Sequence, residues 1–234
     1  MIPWLGDDDP FPPVGRALRD PNGLLAAGGD LSTARLLDAY ARGIFPWFGD
    51  DDPLLWWSPD PRMVLLPGEL HVSRSLRRVI RSGRYVVTLD AAFEDVMSGC
   101  AEPRERHDGT WITAEMKEAY GRLAALGYAH SVEVWSGDAL AGGLYGVALG
   151  RMFYGESMFS RQRDSSKVAL TCLVRQLERW GFEMVDCQMS TGHLASLGAR
   201  DIPRNEFLER VQRLVRLPAV PPPWALDADL IETL

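Results

Sequence analysis

The sequence is poor in cysteine and histidine, the residues that most often build disulfides and metal sites. Its three cysteines are odd in number and far apart, with no C-x-x-C pair. Neither a disulfide framework nor a zinc site is therefore indicated. The four histidines also lack ligand spacing, so we expect no metal. These residues are Cys100, Cys172, Cys187, His71, His107, His130 and His193.

A long hydrophobic run is absent as well. No segment approaches the ~18 consecutive apolar residues that a membrane-spanning helix needs. The first residues, Met1 to Asp9, are acidic where a signal peptide would be basic and then apolar. We therefore expect a cytoplasmic protein that does not bind a membrane.

Positively charged residues are also fewer than negatively charged ones. The chain has 25 Lys and Arg against 32 Asp and Glu, a net charge of −7, which argues against general affinity for nucleic acid. Any RNA binding must come from a local patch. One candidate is a predicted helix that Ser73 caps and Gly83 ends, with a polar face of arginines. The cations of this patch are Arg74, Arg77, Arg78, Arg81 and, just beyond the helix, Arg84.

No acidic residue interrupts this arginine patch, and Leu76, Val79 and Ile80 fall on the opposite face of the helix. Cations without local partners suit a phosphate backbone. A merely solvated helix face is the alternative, because most charged helix surfaces are of that kind.

Length and periodicity indicate one large domain, or one domain with a small companion, in the 234 residues. Up to Arg62 the chain is rich in proline, glycine and tryptophan, with one helix predicted from Ser32 to Arg42. From Met63 onward, strand and helix patterns alternate. We therefore predict a small N-terminal α/β domain over residues 1–62 and a larger domain over residues 63–234.

The larger domain is predicted to be a mixed sheet covered by helices, an α+β fold. Capping and turn residues divide it into separate elements. These elements are a helix capped by Thr113, a hairpin of Ser131–Trp135 and Ala139–Leu149, a strand from about Phe153 to Ser160, a helix from Asp164 to Gly181, a strand from Phe182 to Gln188, and an extended tail from Leu217.

Two of these strands carry candidate catalytic residues. Glu156 lies among aromatic and apolar residues, and Asp186-Cys187-Gln188 ends the later strand. Asp186 and Gln188 are predicted to share one strand face, with Cys187 packed as a small hydrophobe on the other. Neighbouring strands can deliver such side chains into one cavity. A glutamate in an aromatic strand is also typical of a structural acid that pairs with a buried donor.

An ordered set of motifs extends from about Phe11 to about Phe207. No single motif is decisive, but their order and spacing are those of the leucyl/phenylalanyl-tRNA–protein transferase family, which the chain resembles along almost its whole length. The motifs are Pro21–Leu25, Gly28–Ser32, Gly43–Trp47, Trp56–Arg62, Gly109–Thr113, Gly142–Gly146, Gly155–Ser160, Asp186–Gln188 and His193–Ala199.

The resemblance implies an acyltransferase fold of the GNAT type in the larger domain. It also implies the reaction: transfer of Leu or Phe, and less well Met, from aminoacyl-tRNA to the N-terminal amine of proteins that begin with Arg or Lys, which marks them for degradation under the N-end rule. No cofactor is implied. Asp186 and Gln188 would be the catalytic pair, and Glu156 would orient an amino group.

The resemblance further implies a side-chain pocket for the transferred amino acid and a basic surface for the tRNA body. The arginine patch would be that surface. The pocket residues would be Trp47, Trp111, Tyr120, Leu144, Phe153, Leu173 and Val185.

The implied chemistry is aminolysis of an ester. A free α-amine has a pKa near ~8 and must lose a proton before or during attack. Gln188 can accept a hydrogen bond through its carbonyl but is too weak a base to hold the proton, whereas Asp186 can strengthen it electrostatically. The terminal hydroxyl of the tRNA can also shuttle the proton, and the sequence leaves both routes open.

Two other functions compete with this interpretation. An acetyl-CoA-dependent N-acetyltransferase needs glycine and backbone amides at a helix N-terminus to hold a pyrophosphate, and the segment from Ser160 to Ser166 has no glycine. A non-enzymatic RNA-binding adaptor needs only the arginine patch, and the acid and amide of the predicted cavity would then be idle.

Overall fold

The computed structural model describes residues 2–49, 51–102 and 112–233. Within these ranges the chain forms one sheet of four strands and one of seven. The smaller sheet contains β1 (Trp4–Leu5), β2 (Leu24–Gly28), β3 (Phe45–Pro46) and β4 (Leu55–Trp57), in the order β1-β2-β4-β3.

Helix α1 (Thr33–Ala41) connects β2 to β3. The Ser32 side chain caps it by accepting a hydrogen bond from the backbone N–H of Arg35. At its other end Gly43 has a φ of +69°, and a Cβ there would lie 2.8 Å from the Phe207 ring. The predicted start and end of this helix are confirmed, since both depend on residues next to it in sequence.

The larger sheet has the strand order β11-β5-β10-β9-β8-β7-β6. Only β9 and β10 pair in parallel, and the other neighbours are antiparallel, so the predicted mixed sheet is confirmed. The strands are β5 (Arg62–Leu65), β6 (Val86–Leu89), β7 (Ala129–Ser136), β8 (Ala139–Leu149), β9 (Met152–Ser160), β10 (Met184–Gln188) and β11 (Arg200–Ile202).

Helices cover both faces of this sheet. Alternate strand residues belong to two different apolar cores, as on β9, where Met152 and Tyr154 join one core and Phe153 joins the other. The long helix α5 crosses over from β9 to β10, as a parallel pair requires. The helices are α2 (Arg74–Arg81), α3 (Phe93–Ala101), α4 (Ala114–Ala125), α5 (Ser165–Arg179), α6 (Gly192–Ala195), α7 (Arg204–Leu214) and α8 (Leu230–Thr233).

The strands β9 and β10 separate part of the way along the sheet. They pair only between Met152 and Tyr154 on β9 and Met184 and Asp186 on β10. Beyond that point β9 continues along β8 to Ser160. The end of β10 instead follows β5, with a bulge between Asp186 and Gln188. This separation opens the sheet at the residues that the sequence marks as catalytic.

The predicted helices and hairpin are present, while two predictions shift. The strand expected from Phe182 begins at Met184, and the tail expected to be extended carries the short helix α8. The predicted domain boundary at 62–63 falls inside β5 and remains a prediction. Among the described residues, no helix is both long and apolar enough to cross a membrane.

Candidate active site

A cavity of about 710 Å³ lies where β9 and β10 separate. Its apolar wall includes Leu144, Phe153 and Val185. Its polar lining includes Glu156, Asp186 and Gln188, so the residues marked by the sequence do meet in one place. The cavity thus combines a surface for an apolar side chain with carboxylate and amide groups, within reach of solvent.

Glu156 is the centre of a buried hydrogen-bond cluster. Its carboxylate accepts hydrogen bonds from the Tyr40 hydroxyl at 2.8 Å, the Tyr120 hydroxyl at 3.0 Å and the Gln188 Nε2 at 3.1 Å. Burial raises the pKa of the Glu156 carboxyl to about 7, although the two tyrosine hydrogen bonds lower it. Glu156 is therefore poised to gain or lose a proton near neutral pH.

The tyrosines of this cluster come from different parts of the chain, Tyr40 from α1 and Tyr120 from α4. Burial raises the pKa of both hydroxyls well above the usual range, so both stay protonated and act as donors. The hydroxyls also hydrogen-bond to each other. The cluster has three oxygen–oxygen contacts, between the two hydroxyls and from each hydroxyl to Glu156. These contacts share two protons when Glu156 is ionised and three protons when it is protonated. The cluster can accommodate either state.

Asp186 is bound on both carboxylate oxygens by a buried arginine that sequence reasoning missed. Arg62 donates from Nε at 2.8 Å and from Nη2 at 2.6 Å, and both side chains are fully buried. The guanidinium also lies over the rings of Phe45 and Phe207, at 4.7 and 4.6 Å from their centroids. Arg62 stands in a motif quoted above, but no local pattern reveals a partner 124 residues away.

Asp186 and Gln188 are not joined by their side chains. The sequence places them on one face of a regular strand, whereas the structure has a bulge between them and a φ of +63° at Gln188. The backbone N–H of Gln188 donates to Asp186 Oδ1 at 2.9 Å instead. Asp186 therefore holds the backbone turn that presents Gln188.

The side-chain amide of Gln188 is oriented by Glu156. Because the carboxylate accepts from the NH₂ group, the Gln188 carbonyl oxygen must point away from Glu156. That oxygen is an acceptor suited to an incoming N–H group. The shared-face prediction was wrong in its geometry, yet the amide is available to a substrate.

The predicted pocket residues divide into two groups. Trp47, Leu144, Phe153 and Val185 line the cavity, with Trp47 38% exposed at its opening. Tyr120 lies behind Glu156, and Leu173 is fully buried in the core around α5, so neither forms the wall. Trp111 lies outside the described residues. The role of each in substrate binding remains a prediction.

Cys187 also borders the cavity, although it was expected on the opposite face. It is half-buried, packs against the core that contains Phe153, and burial raises the pKa of its thiol far above the usual value. A protonated thiol is a poor nucleophile, so Cys187 behaves as a packed hydrophobe.

Four arginines of the patch lie on the outer face of α2, with Leu76 and Ile80 buried beneath them, and Arg84 follows the helix. Arg81 donates to the backbone oxygen of Glu232 at 3.4 Å, and Arg84 donates to Gln162 Oε1 at 3.3 Å. Within the part of the chain that the structure describes, none of its five arginines forms a salt bridge. The patch is therefore exposed, and no acidic side chain in the described ranges pairs with it.

Known proteins resemble the chain over nearly its whole length. Residues 64–212 match the family model described as leucyl/phenylalanyl-tRNA protein transferase, and residues 29–60 match its N-terminal domain. A leucyl/phenylalanyl-tRNA–protein transferase of Nitrosospira multiformis is 60% identical over 232 residues, which cover 99% of this chain and 100% of the relative. One of Thiobacillus denitrificans is 62% identical over 218 residues, covering 93% and 96%.

Among solved structures, the chain is similar to a GCN5-related N-acetyltransferase from Kribbella flavida. The TM-score is 0.39 at 10% sequence identity, over 68% of this chain and 56% of that chain.

The sequence matches, on a chain whose cavity gathers the expected polar residues, define an acyltransferase that uses aminoacyl-tRNA and a protein as substrates. The chain belongs to the leucyl/phenylalanyl-tRNA–protein transferase family.

Proposed function

We propose that the cavity binds the aminoacyl end of leucyl- or phenylalanyl-tRNA, and less well methionyl-tRNA, beside the N-terminus of a protein that begins with Arg or Lys. The modified protein is then degraded. The observation that carries this proposal is the pairing of Glu156 with the Gln188 amide next to an apolar wall in one cavity.

The apolar wall supports the choice of donor. Leu144, Phe153 and Val185 are each at most 3% exposed. An aliphatic or aromatic side chain placed against them is therefore removed from water, which is favourable. One methylene is worth only about 1–3 kcal/mol in such a pocket. Rejection of smaller or branched side chains therefore depends on the shape of the wall as well as on burial.

The charges around the cavity support a cationic acceptor. Asp186 is paired with Arg62, and Glu102 at the cavity edge is paired with Arg161. Glu156 forms no ion pair within the described ranges and accepts hydrogen bonds from neutral donors only. A substrate ammonium or guanidinium beside Glu156 would supply the missing positive charge and favour its ionised form.

The reaction joins the acceptor nitrogen to the carbonyl carbon of the ester and breaks the bond from that carbon to the tRNA 3′ oxygen. The nitrogen loses a proton and the departing oxygen gains one. The Gln188 carbonyl accepts a hydrogen bond from the attacking amine, and ionised Glu156 orients an amino group. Placing amine and ester together can supply roughly 7–11 kcal/mol of the acceleration.

The tRNA body would lie against the arginine patch of α2. An exposed cationic face that forms no salt bridge with the acidic side chains of the described ranges suits the phosphate backbone, even on a chain whose net charge is −7. The proposal places the protein in the cytoplasm, where aminoacyl-tRNA is available.

Peptides that differ only in their first residue test the acceptor rule. The purified protein is incubated with leucyl-tRNA and with peptides that begin with Arg, Lys, Ala or Asp. The mass of each peptide product is then measured by mass spectrometry. We expect one added leucine on the Arg and Lys peptides alone, and none on an N-acetylated Arg peptide. Equal transfer to the Ala and Asp peptides would overturn the acceptor rule.

Degradation is tested separately in cells. A reporter protein that begins with Arg is expected to be short-lived when the enzyme is present and stable when it is deleted. The same reporter beginning with Ala is the control, and its lifetime should not change. An Arg reporter whose lifetime is independent of the enzyme would contradict the degradation role.

A further inference from the structure

The C-terminal tail contains a buried tryptophan, Trp224, that none of the roles above explains. From residue 215 to 229 the chain has no helix or strand, and most of its side chains are exposed. Trp224 is only 3% exposed, and Leu230, at the start of α8, is 1% exposed. The tail is therefore held by two buried side chains, together with ion pairs from Arg179 to Asp227 and Asp229.

The indole of Trp224 is fixed in both position and orientation. It stacks parallel on the His130 ring, with centroids 3.5 Å apart and an interplanar angle of 2°. Trp180 and Phe182 contact it from other directions, at centroid distances of 4.9 and 6.0 Å. Its Nε1 donates to the Val220 backbone oxygen at 3.2 Å. Asp90 in turn holds His130 through Nδ1 at 2.7 Å.

The fourth aromatic neighbour of Trp224 is Phe153, with ring centroids 6.4 Å apart. Phe153 is part of the cavity wall, whereas Trp224 is not. The Phe153 ring also lies directly over Gly146, where a Cβ would be 2.6 Å from two ring carbons. Backbone thus limits the movement of the Phe153 ring on one side, and Trp224 limits it on another.

We propose that Trp224 is a positioning residue that sets donor selectivity through Phe153. The inference rests on the proposed function, in which the cavity receives the side chain of the transferred amino acid. With Trp224 in place, Phe153 is held at a fixed depth in the wall, because the close-packed cluster leaves it no space to withdraw. Shortening Trp224 opens space behind Phe153, so the cavity can deepen and accept the larger phenylalanyl group more easily.

The test compares Trp224→Leu with Trp224→Phe, which keeps an aromatic ring. The quantity measured is the ratio of kcat/KM for phenylalanyl-tRNA to kcat/KM for leucyl-tRNA, with one Arg peptide as acceptor. We expect the Leu variant to raise this ratio about tenfold, the size of effect that one or two methylenes have in an apolar pocket. The Phe variant should stay close to the wild type. Both donors are assayed with the same enzyme preparation, so a loss of folded protein lowers both values equally and does not alter the ratio.

Two further variants separate the possible causes. Leu230→Ala shortens the other buried side chain of the tail and leaves the aromatic rings themselves unchanged, and we expect it to leave the ratio unchanged. Leu144→Phe narrows the cavity directly and should lower the ratio. If Trp224→Leu accumulates too poorly to assay, Trp224→Met, a more flexible side chain of about the same volume as leucine, replaces it and should shift the ratio in the same direction.

The outcomes distinguish this inference from the proposed function. An unchanged ratio in the Trp224 variants together with a changed ratio in Leu144→Phe overturns only the role of Trp224. If neither the Trp224 variants nor Leu144→Phe changes the ratio, the cavity does not bind the donor side chain, and the proposed function then fails as well. Equal shifts in Trp224→Leu and Leu230→Ala would assign the effect to the tail in general and overturn the specific role of Phe153.

Discussion

Arg62 makes Asp186 a structural residue as well as a candidate catalytic one. The two charges are fully buried and doubly hydrogen-bonded, so each depends on the other. Removing one partner leaves an uncompensated buried charge, which typically destabilises a protein by about 3–5 kcal/mol. Gln188 is uncharged and is held by two hydrogen bonds, from its side-chain amide to Glu156 and from its backbone N–H to Asp186.

We therefore expect Asp186→Ala and Gln188→Ala to behave differently. Asp186→Ala should lower the free energy of unfolding by about 3–5 kcal/mol, measured in denaturant. Gln188→Ala should leave stability within about 1 kcal/mol and lower kcat by on the order of 10², because it removes an acceptor for the attacking amine. Asp201→Ala, at an exposed acid of β11, is the control. Equal stability of the two site variants would contradict the anchoring role of Arg62.

Glu156 predicts the pH dependence of both activity and stability. Its pKa is raised from 4.5 to about 7, so the folded state holds a proton that the unfolded state releases above pH 4.5. The contribution of Glu156 to stability should therefore fall as pH rises from 4.5 to 7, by roughly 3 kcal/mol in total. Activity should change in the opposite direction, because the proposed reaction needs the ionised form.

The measurement is kcat/KM against pH with an Arg peptide. We expect a rise through about pH 7 that belongs to Glu156 and a second rise near ~8 from the amine of the peptide. Glu156→Gln keeps the shape of the side chain and cannot titrate, so it should lose the first rise and keep the second. Persistence of the rise at 7 in that variant would show that another group titrates there.

At the scale of elements, α2 alone brings together four of the five arginines of the patch. The cap, the end and the buried face of α2 were all predictable, because each depends on residues within one or two helical turns. The bulge of β10 was not predictable in this way. It depends on the register with β5 and on Arg62, both far away in sequence.

Reversing Arg77 and Arg81 to Glu tests the patch. Folding should survive, because the buried side chains Leu76 and Ile80 are unchanged. Affinity for tRNA should fall whichever amino acid is attached, and the slope of log affinity against log salt should flatten by roughly one unit for each lost phosphate contact. Transfer from a short aminoacyl-adenosine, which does not reach α2, should be spared.

The matched control reverses Arg16 and Arg19, two exposed arginines outside α2, and so makes the same change in net charge. It should alter the salt slope less than the α2 variant does. The patch would be only a solvated helix face if both double variants gave the same slope as the wild type.

At the scale of the whole molecule, the N-terminal segment and the larger sheet build one site. Tyr40 comes from α1 and donates to Glu156, while Arg62 donates to the backbone oxygen of Gly43 at 3.2 Å. One apolar core contains side chains from both parts, including Trp56 and Tyr120. Residues 1–62 thus take part in the cavity even if they form a separate domain.

Tyr40→Phe tests this dependence. The hydrogen bond from Tyr40 lowers the pKa of Glu156, so its removal should raise that pKa above the present value of about 7. The first rise in the activity profile should therefore move to higher pH. Tyr154→Phe is the control, because its hydroxyl donates to the Tyr40 backbone oxygen and not to Glu156. An unmoved profile in Tyr40→Phe would mean that α1 does not tune the site.

By itself, the sequence determined the helices α1, α2, α4 and α5, the hairpin, the mixed α+β class and the family. Caps, turns and apolar periodicity depend on residues that are near neighbours in the sequence. The motifs of the family are likewise recognised from their order along the sequence. It also identified Glu156, Asp186 and Gln188 as members of one site.

Only the tertiary structure decided what each of these residues contacts. The Arg62–Asp186 pair, the tyrosines on Glu156 and the contact of Trp224 with Phe153 join segments 124, 116, 36 and about seventy residues apart. No local propensity encodes such partners. They are selected when the sheet and its helices exclude water, since burial then makes every unpaired charge or polar group costly.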